Sequence, residues 1–529
     1  MRQLIGMTHT ASSTTVSAPP PAPPPPGLRL RVNKLCVSIQ ADSPAGLIER
    51  AEGALADSRF LEFRLDWLPK SAAALPLVKD FLAAHRDVTA IATCRRKAFG
   101  GRFAGPLKAE LDVLTAAAEA GCQIVDLEVE SAEEAKPAQL AHLRAAGAAL
   151  LISFHDFTRT KDLEQAAERI EAFSPDFVKV VSTARSIADN LAVLKLIEDR
   201  SLSSHIVSIA MGEEGLVSRV LGPRAGAAFT FAASADGAET APGQISARTL
   251  LDLYRIEQLD YATRIFAVAG NPIAHSLSPL MHNTAFRREN VNAVMLPLKV
   301  RAVADLLTLV RELPLAGVAV TMPLKQEVLP YLANSDPLTA KIGACNTLRT
   351  GADGKLYGFN TDVAGVVRPL EKRLVLKGAR IAVLGAGGAA RAAVFALAGQ
   401  GAEVFIINRT HEKAVALARQ AKAKSMKHEI FAKNRFDVLI NTTPCGMAGN
   451  KQALPIAENE LNASLVFDMV YNPLETPLLK LARERGIPVV SGLEMFVQQG
   501  ARQFEIWTGK PAPEAEMQRV VELELRRRG

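Results

Sequence analysis

Two side chains in the first half of this 529-residue chain have the chemistry of a site that acts on a ketone. Lys179 lies in the run Phe-Val-Lys-Val-Val, whose apolar neighbours predict a buried strand. Burial disfavours the charged ammonium, and a neutral amine can form a Schiff base with a ketone. The imine makes a proton on the adjacent carbon removable, and His155, at the end of another apolar run, is a candidate base. Each side chain alone is equally consistent with a structural role, as an edge-strand lysine or a half-buried histidine.

Polar side chains also stand at the ends of the neighbouring apolar runs. They comprise acids, a hydroxyl, an amide and three arginines, namely Glu62, Arg64, Arg95, Glu128, Arg219, Ser234 and Gln244. Arginines around a lysine and a histidine suit an anionic small molecule. Together these groups favour a functional site over separate structural roles.

Eight short apolar runs must position these side chains. They recur at intervals of roughly 25 to 30 residues, and helix-like segments rich in Ala, Leu, Glu and Arg separate them. The runs are residues 35–39, 60–65, 88–93, 123–128, 149–154, 177–181, 205–210 and 228–233. This alternation predicts an α/β fold, a (β/α)8 barrel, whose chemistry lies at the C-terminal ends of the strands.

The second half of the chain carries a different charged pair. Lys325 ends the segment Thr-Met-Pro-Leu-Lys and Asp362 ends Asn-Thr-Asp, and together they can serve as acid and base beside a carbonyl. Hydroxyls and amides that suit a polyol acid occur nearby, at Ser276, Ser278, Thr321 and Asn346. Taken singly, each cluster is also an ordinary helix cap or turn. Alternating strand and helix patterns from residue 265 to residue 321 predict a small α/β domain here.

A glycine-rich turn follows this domain. Gly385, Gly387 and Ala390 fit the pattern G-x-G-x-x-G/A between a strand at 380–384 and a helix at 388–398. In such a turn the glycines let the backbone approach a pyrophosphate, and the helix N-terminus faces it. The alternative is a doubly wound domain that binds another nucleotide or none.

The end of the next strand, at 403–407, indicates which dinucleotide binds. NAD-binding domains usually place an acid there, whereas this chain has Asn408, Arg409 and Thr410. An arginine suits the 2′-phosphate of NADP and an acid would repel it, so the sequence predicts NADP.

Composition narrows the class of protein. Hydrophobic residues make up 48% and charged residues 22% of the chain, which is ordinary for a globular protein. The net charge of +7 is spread along the sequence, which favours anionic small molecules over nucleic acid. Five cysteines without a Cys-x-x-Cys pair predict a reducing compartment and no metal site. No apolar run reaches membrane-spanning length, so we expect no membrane partner.

Residues 1–27 stand apart from the rest. They are rich in Ser, Thr, Pro and Ala, which predicts a disordered Pro-rich tail. They lack the apolar region of a secretory signal and hold one arginine, Arg2, whereas transit peptides are rich in arginine. We therefore expect a cytoplasmic protein, and a plastid one only if the tail is a transit peptide.

From about Val32 to Arg255 the chain resembles the type I 3-dehydroquinate dehydratases. The resemblance rests on Glu-Phe-Arg-Leu-Asp at 62–66, Ser-Phe-His-Asp at 153–156, Phe-Val-Lys-Val at 177–180, Ser-Arg at 218–219 and Pro-Gly-Gln at 242–244. It implies metal-free loss of water from 3-dehydroquinate, with Lys179 as the Schiff-base lysine, His155 as general acid/base and Glu128 as the carboxylate that orients it. It also implies a substrate-binding set of Glu62, Arg64, Arg95, Arg219, Ser234 and Gln244.

From about Thr263 to the C-terminus the chain is similar to shikimate dehydrogenase. Further matching motifs are Asn-Thr-Thr-Pro-Cys-Gly at 441–446 and Gly-Leu-Glu-Met-Phe-Val-Gln-Gln at 492–499. The resemblance implies Lys325 and Asp362 as the catalytic pair, and Ser276, Ser278, Thr321, Asn346, Tyr471 and Gln499 as substrate-binding residues. The NADP-binding residues that it implies are Gly385, Ala386, Gly387, Gly388, Ala389, Asn408, Arg409, Thr410, Thr442 and Gly492.

The whole chain therefore resembles fusions of these two enzymes, which act in sequence on 3-dehydroquinate, 3-dehydroshikimate and shikimate. The expected architecture is a barrel at 28–258, a substrate domain at 262–365, a Rossmann-type NADP domain at 366–495 and C-terminal helices at 496–529 that return to the substrate domain. Two alternatives are an NAD-dependent catabolic quinate/shikimate fusion and a non-catalytic regulator that senses the same metabolites. Oligomeric state and transfer of the intermediate between sites stay open.

Overall fold

Eight parallel strands form the first sheet of the computed structural model, which describes residues 32–199 and 204–528. They are β1 (Leu35–Ile39), β2 (Phe60–Arg64), β3 (Thr89–Thr93), β4 (Ile124–Glu128), β5 (Ala149–His155), β6 (Phe177–Thr183), β7 (His205–Met211) and β8 (Thr230–Ala233). Each contains the core of a predicted apolar run, and the bounds differ by at most two residues. The predicted tail, residues 1–27, lies outside the described residues.

The strands close into a barrel, which confirms the predicted fold. Their spatial order is β7-β6-β5-β4-β3-β2-β1-β8. The two edges meet where the backbone N–H of Ala228 donates to the carbonyl of Ile206 over 2.8 Å. Helices surround the sheet: α1 (Pro44–Ala54), α2 (Leu75–Ala84), α3 (Leu107–Glu119), α4 (Val129–Glu134), α5 (Pro137–Ala145), α6 (Leu163–Glu171), α7 (Asp189–Glu198) and α8 (Leu216–Ala225).

The barrel interior is built in two layers, one apolar and one polar. Inward side chains near the N-terminal ends form an apolar cluster that includes Cys36, Phe60, Ile91, Ile124, Leu151 and Phe177. Side chains alternate along a strand, so residues two positions later face the same interior. Those residues are Ser38, Glu62, Thr93, Asp126, Ser153 and Lys179, and all of them are buried. The strand period therefore places a polar layer directly above the apolar one.

A second, mixed sheet follows the barrel. Its strands are β9 (Arg264–Gly270), β10 (Ala293–Lys299), β11 (Leu315–Val320), β12 (Asn334–Ser335), β13 (Thr347–Thr350) and β14 (Leu356–Phe359), in the order β10-β9-β11-β13-β14-β12. Its helices are α9 (Ser278–Arg288), α10 (Val303–Glu312), α11 (Leu324–Glu327) and α12 (Pro337–Ile342). Helix α13 (Asp362–Glu371) leads into the third sheet.

The third sheet is parallel throughout. Its strands are β15 (Arg380–Leu384), β16 (Glu403–Ile407), β17 (Lys424–Ser425), β18 (Phe436–Asn441), β19 (Ala463–Asp468) and β20 (Val489–Val490). The order β17-β16-β15-β18-β19-β20 is the Rossmann order, with its topological switch point between β15 and β18. The accompanying helices are α14 (Gly388–Gly399), α15 (His411–Ala421), α16 (His428–Phe431) and α17 (Pro477–Glu484).

The last two helices, α18 (Gly492–Thr508) and α19 (Glu514–Arg528), pack on the second sheet. Phe504, Trp507 and Val521 share an apolar cluster with Phe266 of β9. The indole Nε1–H of Trp507 also donates to the carbonyl of Leu348 in β13 over 2.9 Å. Across residues 32–199 and 204–528, no helix is both long and apolar enough to cross a membrane.

Candidate active sites

Lys179 stands in the polar layer of the barrel with Asp126 as its charge partner. Its Nζ lies 2.7 Å from Asp126 Oδ2 and 4.3 Å from the centre of the Phe231 ring. Burial opposes ionisation of Asp126, but Lys179 and Arg95 outweigh it and hold the pKa of this carboxyl well below its ordinary value. The sequence indicated that Lys179 is buried, and the structure adds a carboxylate partner for it.

His155, the last residue of β5, lies between a carboxylate and a guanidinium. Its Nδ1 lies 3.0 Å from both carboxylate oxygens of Glu128, and its Nε2 lies 3.0 Å from Nη1 of Arg95. A guanidinium can only donate, so these partners assign a neutral imidazole with its proton on Nδ1. Burial, followed by the charge of Arg95, lowers the pKa of His155 to about 4. The imidazole is therefore a base at neutral pH.

Arg95 links the members of this group. Its Nη2 donates to Asp126 Oδ2 over 3.1 Å and to Ser153 Oγ over 3.2 Å. The Ser153 hydroxyl lies 2.6 Å from Asp126 and 2.9 Å from Glu128, so it can donate to either carboxylate. The barrel strands thus bring Lys179 and His155 into one hydrogen-bonded network.

Arg219 is the member of the predicted set that has no anionic partner in the described residues. It is 2% exposed, and its Nη2 donates to the carbonyl of Pro242 over 3.2 Å. No acceptor among the described residues reaches its Nε, and burial lowers the pKa of the guanidinium to about 10. A buried, unpaired cation at the mouth of the barrel fits the carboxylate of a ligand.

The remaining predicted barrel residues have different partners. Glu62 accepts from the hydroxyls of Ser38 and Thr93 over 2.6 and 2.7 Å. Arg64 makes two hydrogen bonds of 2.9 Å with Asp66. The buried Gln244 accepts from the backbone of Thr240 over 2.8 Å, and Ser234 is half-buried directly after β8.

Sequence reasoning assigned no role to Asp126 and Ser153. Asp126 precedes Glu128 by two residues and Ser153 precedes His155 by two, so strand alternation places each on the interior face. The two-residue alternation along each strand could therefore have identified Asp126 and Ser153 as interior residues. Their contacts with Lys179 and Arg95, however, depend on the register between strands.

The second candidate site lies between the second and third sheets. Lys325 of α11 and Asp362, the first residue of α13, form an ion pair with Nζ 2.7 Å from Oδ2. Asn346 precedes β13, and its Nδ2 donates to the other carboxylate oxygen over 2.9 Å. The Asn346 Oδ1 accepts from the backbone of Thr361 and the hydroxyl of Thr347, each over 2.8 Å. These bonds determine which way the amide faces.

A cavity of about 680 Å³ surrounds the Lys325–Asp362 pair. All six predicted substrate residues and three predicted cofactor residues line it: Ser276, Ser278, Thr321, Asn346, Tyr471, Gln499, Gly388, Ala389 and Gly492. Apolar side chains such as Met495 and Phe496 line it too. The cavity therefore joins the predicted substrate residues to the start of helix α14.

A second cavity of about 1180 Å³ lies along the C-terminal edge of the third sheet. Its walls include Gly385, Ala386, Gly387, Asn408, Arg409 and Thr410 from the predicted cofactor set. Lys413 and Thr443 also line it, and sequence reasoning did not select them. Thr442 lies behind the glycine turn, where its hydroxyl donates to the carbonyl of Leu384 over 2.6 Å.

The residues of this cavity fit a phosphorylated dinucleotide. Gly385 has φ +115°, and a Cβ there would lie 2.4 Å from the Thr442 hydroxyl, so the turn requires glycine. Cβ atoms at Gly387 and Gly388 would meet nothing within 4 Å, which leaves the helix N-terminus open to a ligand. Arg409 is exposed and has no carboxylate partner in the described part of the chain, so its charge is available to a phosphate.

Family models match both halves of the chain. The model described as "Type I 3-dehydroquinase" matches residues 35–261. Those described as "Shikimate dehydrogenase substrate binding domain", "Shikimate / quinate 5-dehydrogenase" and "Shikimate 5'-dehydrogenase C-terminal domain" match residues 268–348, 370–454 and 492–522.

One relative aligns with 90% of the chain, and two others align with about half of it. The "Bifunctional 3-dehydroquinate dehydratase/shikimate dehydrogenase, chloroplastic" of Arabidopsis thaliana is 34% identical over 509 residues, 90% of this chain and 82% of the relative. The "Shikimate dehydrogenase (NADP(+))" of Methanosarcina acetivorans is 40% identical over 272 residues, 49% of this chain and 97% of the relative. The crystal structure of the Thermus thermophilus shikimate 5-dehydrogenase with NADP(H) and shikimate is 36% identical, has a TM-score of 0.46, and covers 50% of this chain and 99% of that one.

Proposed function

This chain belongs to the bifunctional 3-dehydroquinate dehydratase/shikimate dehydrogenase family, and from this premise we propose which residues carry its two reactions. The barrel removes water from 3-dehydroquinate, and the second half reduces the resulting 3-dehydroshikimate to shikimate with NADPH. One observation carries the assignment of residues. Two separate lysine–carboxylate pairs lie one in each half of the chain, Lys179–Asp126 in the barrel and Lys325–Asp362 in the second half. The dehydroquinase model matches the first half, and the shikimate dehydrogenase models match on both sides of Asp362, at 268–348 and 370–454.

In the barrel, Lys179 is the nucleophile. Its amine attacks the ketone carbon, the ketone oxygen leaves as water, and an imine joins the lysine to the substrate. His155 takes a proton from the adjacent carbon through Nε2, and the hydroxyl on the next carbon leaves with that proton as a second water. Hydrolysis of the imine consumes one water and frees Lys179, so one water is lost overall.

The neighbours of these two residues support those steps. Asp126, 2.7 Å from Nζ, offsets the positive charge of the iminium as it offsets that of the ammonium. Glu128 keeps the proton of His155 on Nδ1 and so leaves Nε2 to act as the base. Arg95 contacts Nε2 in this structure, and we infer that an anionic or hydroxyl group of bound substrate draws its guanidinium away.

The substrate carboxylate pairs with Arg219, whose buried guanidinium has no anion in the described residues. Glu62, Arg64, Ser234 and Gln244 complete the proposed set around the hydroxyls. Gln244 reaches toward Ser38, whose hydroxyl already donates to Glu62, so these polar groups can rearrange together around a ligand.

In the second site, Lys325 is the acid for reduction of the ketone. It gives a proton to the ketone oxygen, and Asp362 holds its ammonium in place. Bound NADPH supplies the hydride. Ser276, Ser278, Thr321, Tyr471 and Gln499 would hold the carboxylate and hydroxyls of the substrate from the cavity wall.

The glycine turn and Arg409 would hold the cofactor. The open N-terminus of α14 suits the pyrophosphate, and the guanidinium of Arg409 suits the 2′-phosphate. The NADP(+) in the name of the Methanosarcina relative supports this choice. It disfavours the alternative fusion that uses NAD.

We propose the domain limits 28–258, 262–365, 366–495 and 496–529. Contacts of α18 and α19 with β9 and β13 support the return of the last segment to the substrate domain. Helices α13 and α18 run through two of these limits, and Arg368 joins them through a 2.8 Å ion pair with Glu505. The two helices therefore connect the lobes on either side of the cavity.

The compartment is also a proposal. We place the protein in the cytoplasm unless residues 1–27 act as a transit peptide. The Arabidopsis relative is named as chloroplastic, which is the reason to test that alternative. A fluorescent protein fused behind residues 1–31 and expressed in plant cells distinguishes the two. Import into plastids would reject the cytoplasmic proposal.

One experiment tests the proposed function directly. Purified protein supplied with 3-dehydroquinate and NADPH should produce shikimate, measured by chromatography, and should consume one NADPH for each shikimate. The Lys179→Ala variant should fail with 3-dehydroquinate but succeed with 3-dehydroshikimate. Failure of the unaltered protein with both substrates would reject the proposal.

A further inference from the structure

We propose that Lys299, a residue of the dehydrogenase half, is a positioning residue for the dehydratase. It holds the loop that follows barrel strand β7, and through this loop it positions Arg219 and Gln244. The inference rests on the proposed function of the barrel. It assigns part of the barrel's substrate affinity to the other enzyme of the chain.

Lys299 is the last residue of β10, and it reaches across to the barrel. Its Nζ lies 3.1 Å from Glu213 Oε2 and 3.0 Å from Glu214 Oε1. Both acids lie in the turn directly after β7, which is the catalytic end of the barrel. Two adjacent carboxylates repel each other, so one ammonium between them stabilises the conformation that places both side chains on this face.

The same loop contacts the segment that carries Gln244. The backbone N–H of Gly212 donates to the carbonyl of Pro242 over 3.0 Å. A Cβ at Gly243 would lie 2.1 Å from the carbonyl oxygen of Gly212, so the two loops touch with no free space. Any outward movement of the β7 loop must therefore move the residues next to Gln244.

Arg219 depends on this arrangement as well. Its Nη2 donates to the Pro242 carbonyl over 3.2 Å, the same oxygen that accepts from Gly212. Since no carboxylate in the described residues pairs with Arg219, this carbonyl is a principal restraint on the guanidinium before substrate binds. A shift of Pro242 would change both the position of Arg219 and its alignment with a substrate carboxylate.

Contacts from the barrel also hold the β7 loop, so Lys299 restrains this loop from the opposite side. Asn190 of α7 donates to the carbonyl of Glu214 over 2.8 Å and accepts from the backbone of Ser218 over 2.9 Å. The backbone of Glu214 is thus fixed by the barrel and its side chain by the dehydrogenase half. Glu214 is also well covered, with 17% of its side chain exposed, so its contact with Lys299 is not a fully solvated surface pair.

The test compares Lys299→Met, which keeps most of the side-chain volume but loses the charge, with Lys299→Arg, which keeps the charge. Partly exposed ion pairs are weak, so we expect a rise of about twofold to tenfold in the KM for 3-dehydroquinate in Lys299→Met. The dehydratase kcat should stay near that of the unaltered protein. Lys299→Arg should restore most of the affinity, and shikimate oxidation with NADP should be the same in all three proteins.

Lys195→Met is a matched control. Lys195 of α7 pairs with Glu312 of α10 over 3.2 Å, so it also bridges the barrel and the dehydrogenase half, but this ion pair includes no residue of the β7 loop. We expect this variant to leave the KM for 3-dehydroquinate unchanged. A charge exchange, Lys299→Glu combined with Glu214→Lys, should bring the KM closer to normal than Lys299→Glu alone.

Thermal melting of each variant separates positioning from docking. An unchanged KM in Lys299→Met overturns the proposal, and so does an equal rise in Lys195→Met. A parallel loss of both activities and of the melting temperature would show a role in docking alone. These failures are distinct from failure of the proposed function, in which the unaltered protein itself would not dehydrate 3-dehydroquinate.

Discussion

Asn346 donates from Nδ2 to Oδ1 of Asp362 over 2.9 Å, which leaves the second carboxylate oxygen to Lys325. The amide is itself restrained, because the backbone of Thr361 donates to its Oδ1. Asn346 thus does more than line the substrate cavity. It orients the carboxylate that in turn orients the proposed acid.

This relationship predicts a strong effect of Asn346→Leu on the dehydrogenase. The substitution removes a charge-assisted hydrogen bond, which contributes about 1.5 to 3 kcal/mol, so kcat should fall by about tenfold to a hundredfold. Steady-state kinetics of shikimate oxidation measure the change. The dehydratase of the same protein is the control and should be unaffected. A change in KM alone would mean that Asn346 binds substrate without orienting Asp362.

The fold could be predicted largely because its signals are local. Apolar runs such as 177–181, separated by helical segments, identify barrel strands without any knowledge of their neighbours. The glycine turn at Gly385 likewise combines with the strands on either side of it to predict the Rossmann unit. Both depend on residues close together in the chain.

The candidate sites were predicted less completely, because their contacts join distant segments. Asp126 pairs with Lys179 across 53 positions of the chain, and no pattern near either residue states that they meet. Gln503 of α18 donates to the Thr347 hydroxyl over 3.1 Å from 156 positions away, and was not selected either. Residue types marked the sites, whereas the partners of those residues depended on register and packing.

Lys179 should form a covalent imine with substrate. Lys179 is buried above the apolar layer, and Asp126 and Arg95 connect it to His155, an arrangement that suits attack on a ketone. Borohydride added together with 3-dehydroquinate should reduce the imine and attach the ligand mass to the peptide that contains Lys179, as read by mass spectrometry. Lys179→Ala should abolish dehydration and leave reduction of 3-dehydroshikimate nearly intact. Unchanged dehydration without an adduct would reject the Schiff-base mechanism.

The dehydratase should stay active at mildly acidic pH. His155 acts as a base only when neutral, and burial together with the charge of Arg95 lowers its pKa to about 4 from the ordinary value of 6.5. As pH falls from 7, kcat/KM should therefore hold until the pH approaches that lowered pKa. A profile of kcat/KM against pH measures this. An acid limb centred near pH 6.5 would mean that the active base is solvated or is another residue.

Glu128→Gln provides the matched variant for this profile. The carboxylate of Glu128 raises the pKa of His155 against the stronger effect of burial, so its loss should move the acid limb to lower pH. It should also lower kcat, because the amide can present its NH₂ group to the ring and disturb the Nδ1 proton that leaves Nε2 free. A limb that moves to higher pH would contradict the assigned contact between the two side chains.

Arg409 should decide between NADP and NAD. Its guanidinium is exposed beside the glycine turn, has no carboxylate partner in the described residues, and lines the same cavity as Asn408 and Thr410. A guanidinium can make paired, charge-assisted hydrogen bonds to a phosphate, each contributing about 1.5 to 3 kcal/mol. Arg409→Ala should therefore raise the KM for NADP by about tenfold to a hundredfold, at about 1.4 kcal/mol per tenfold, and hardly change the use of NAD. Arg409→Asp should raise the KM for NADP further, because a carboxylate repels the 2′-phosphate, and it can accept from the ribose hydroxyl of NAD.

Shikimate oxidation with each cofactor measures the ratio of the two kcat/KM values, and the dehydratase, which uses no nucleotide, is the internal control. If Arg409→Ala leaves that ratio unchanged, the preference arises elsewhere in the cavity, and Lys413 is the next residue to substitute.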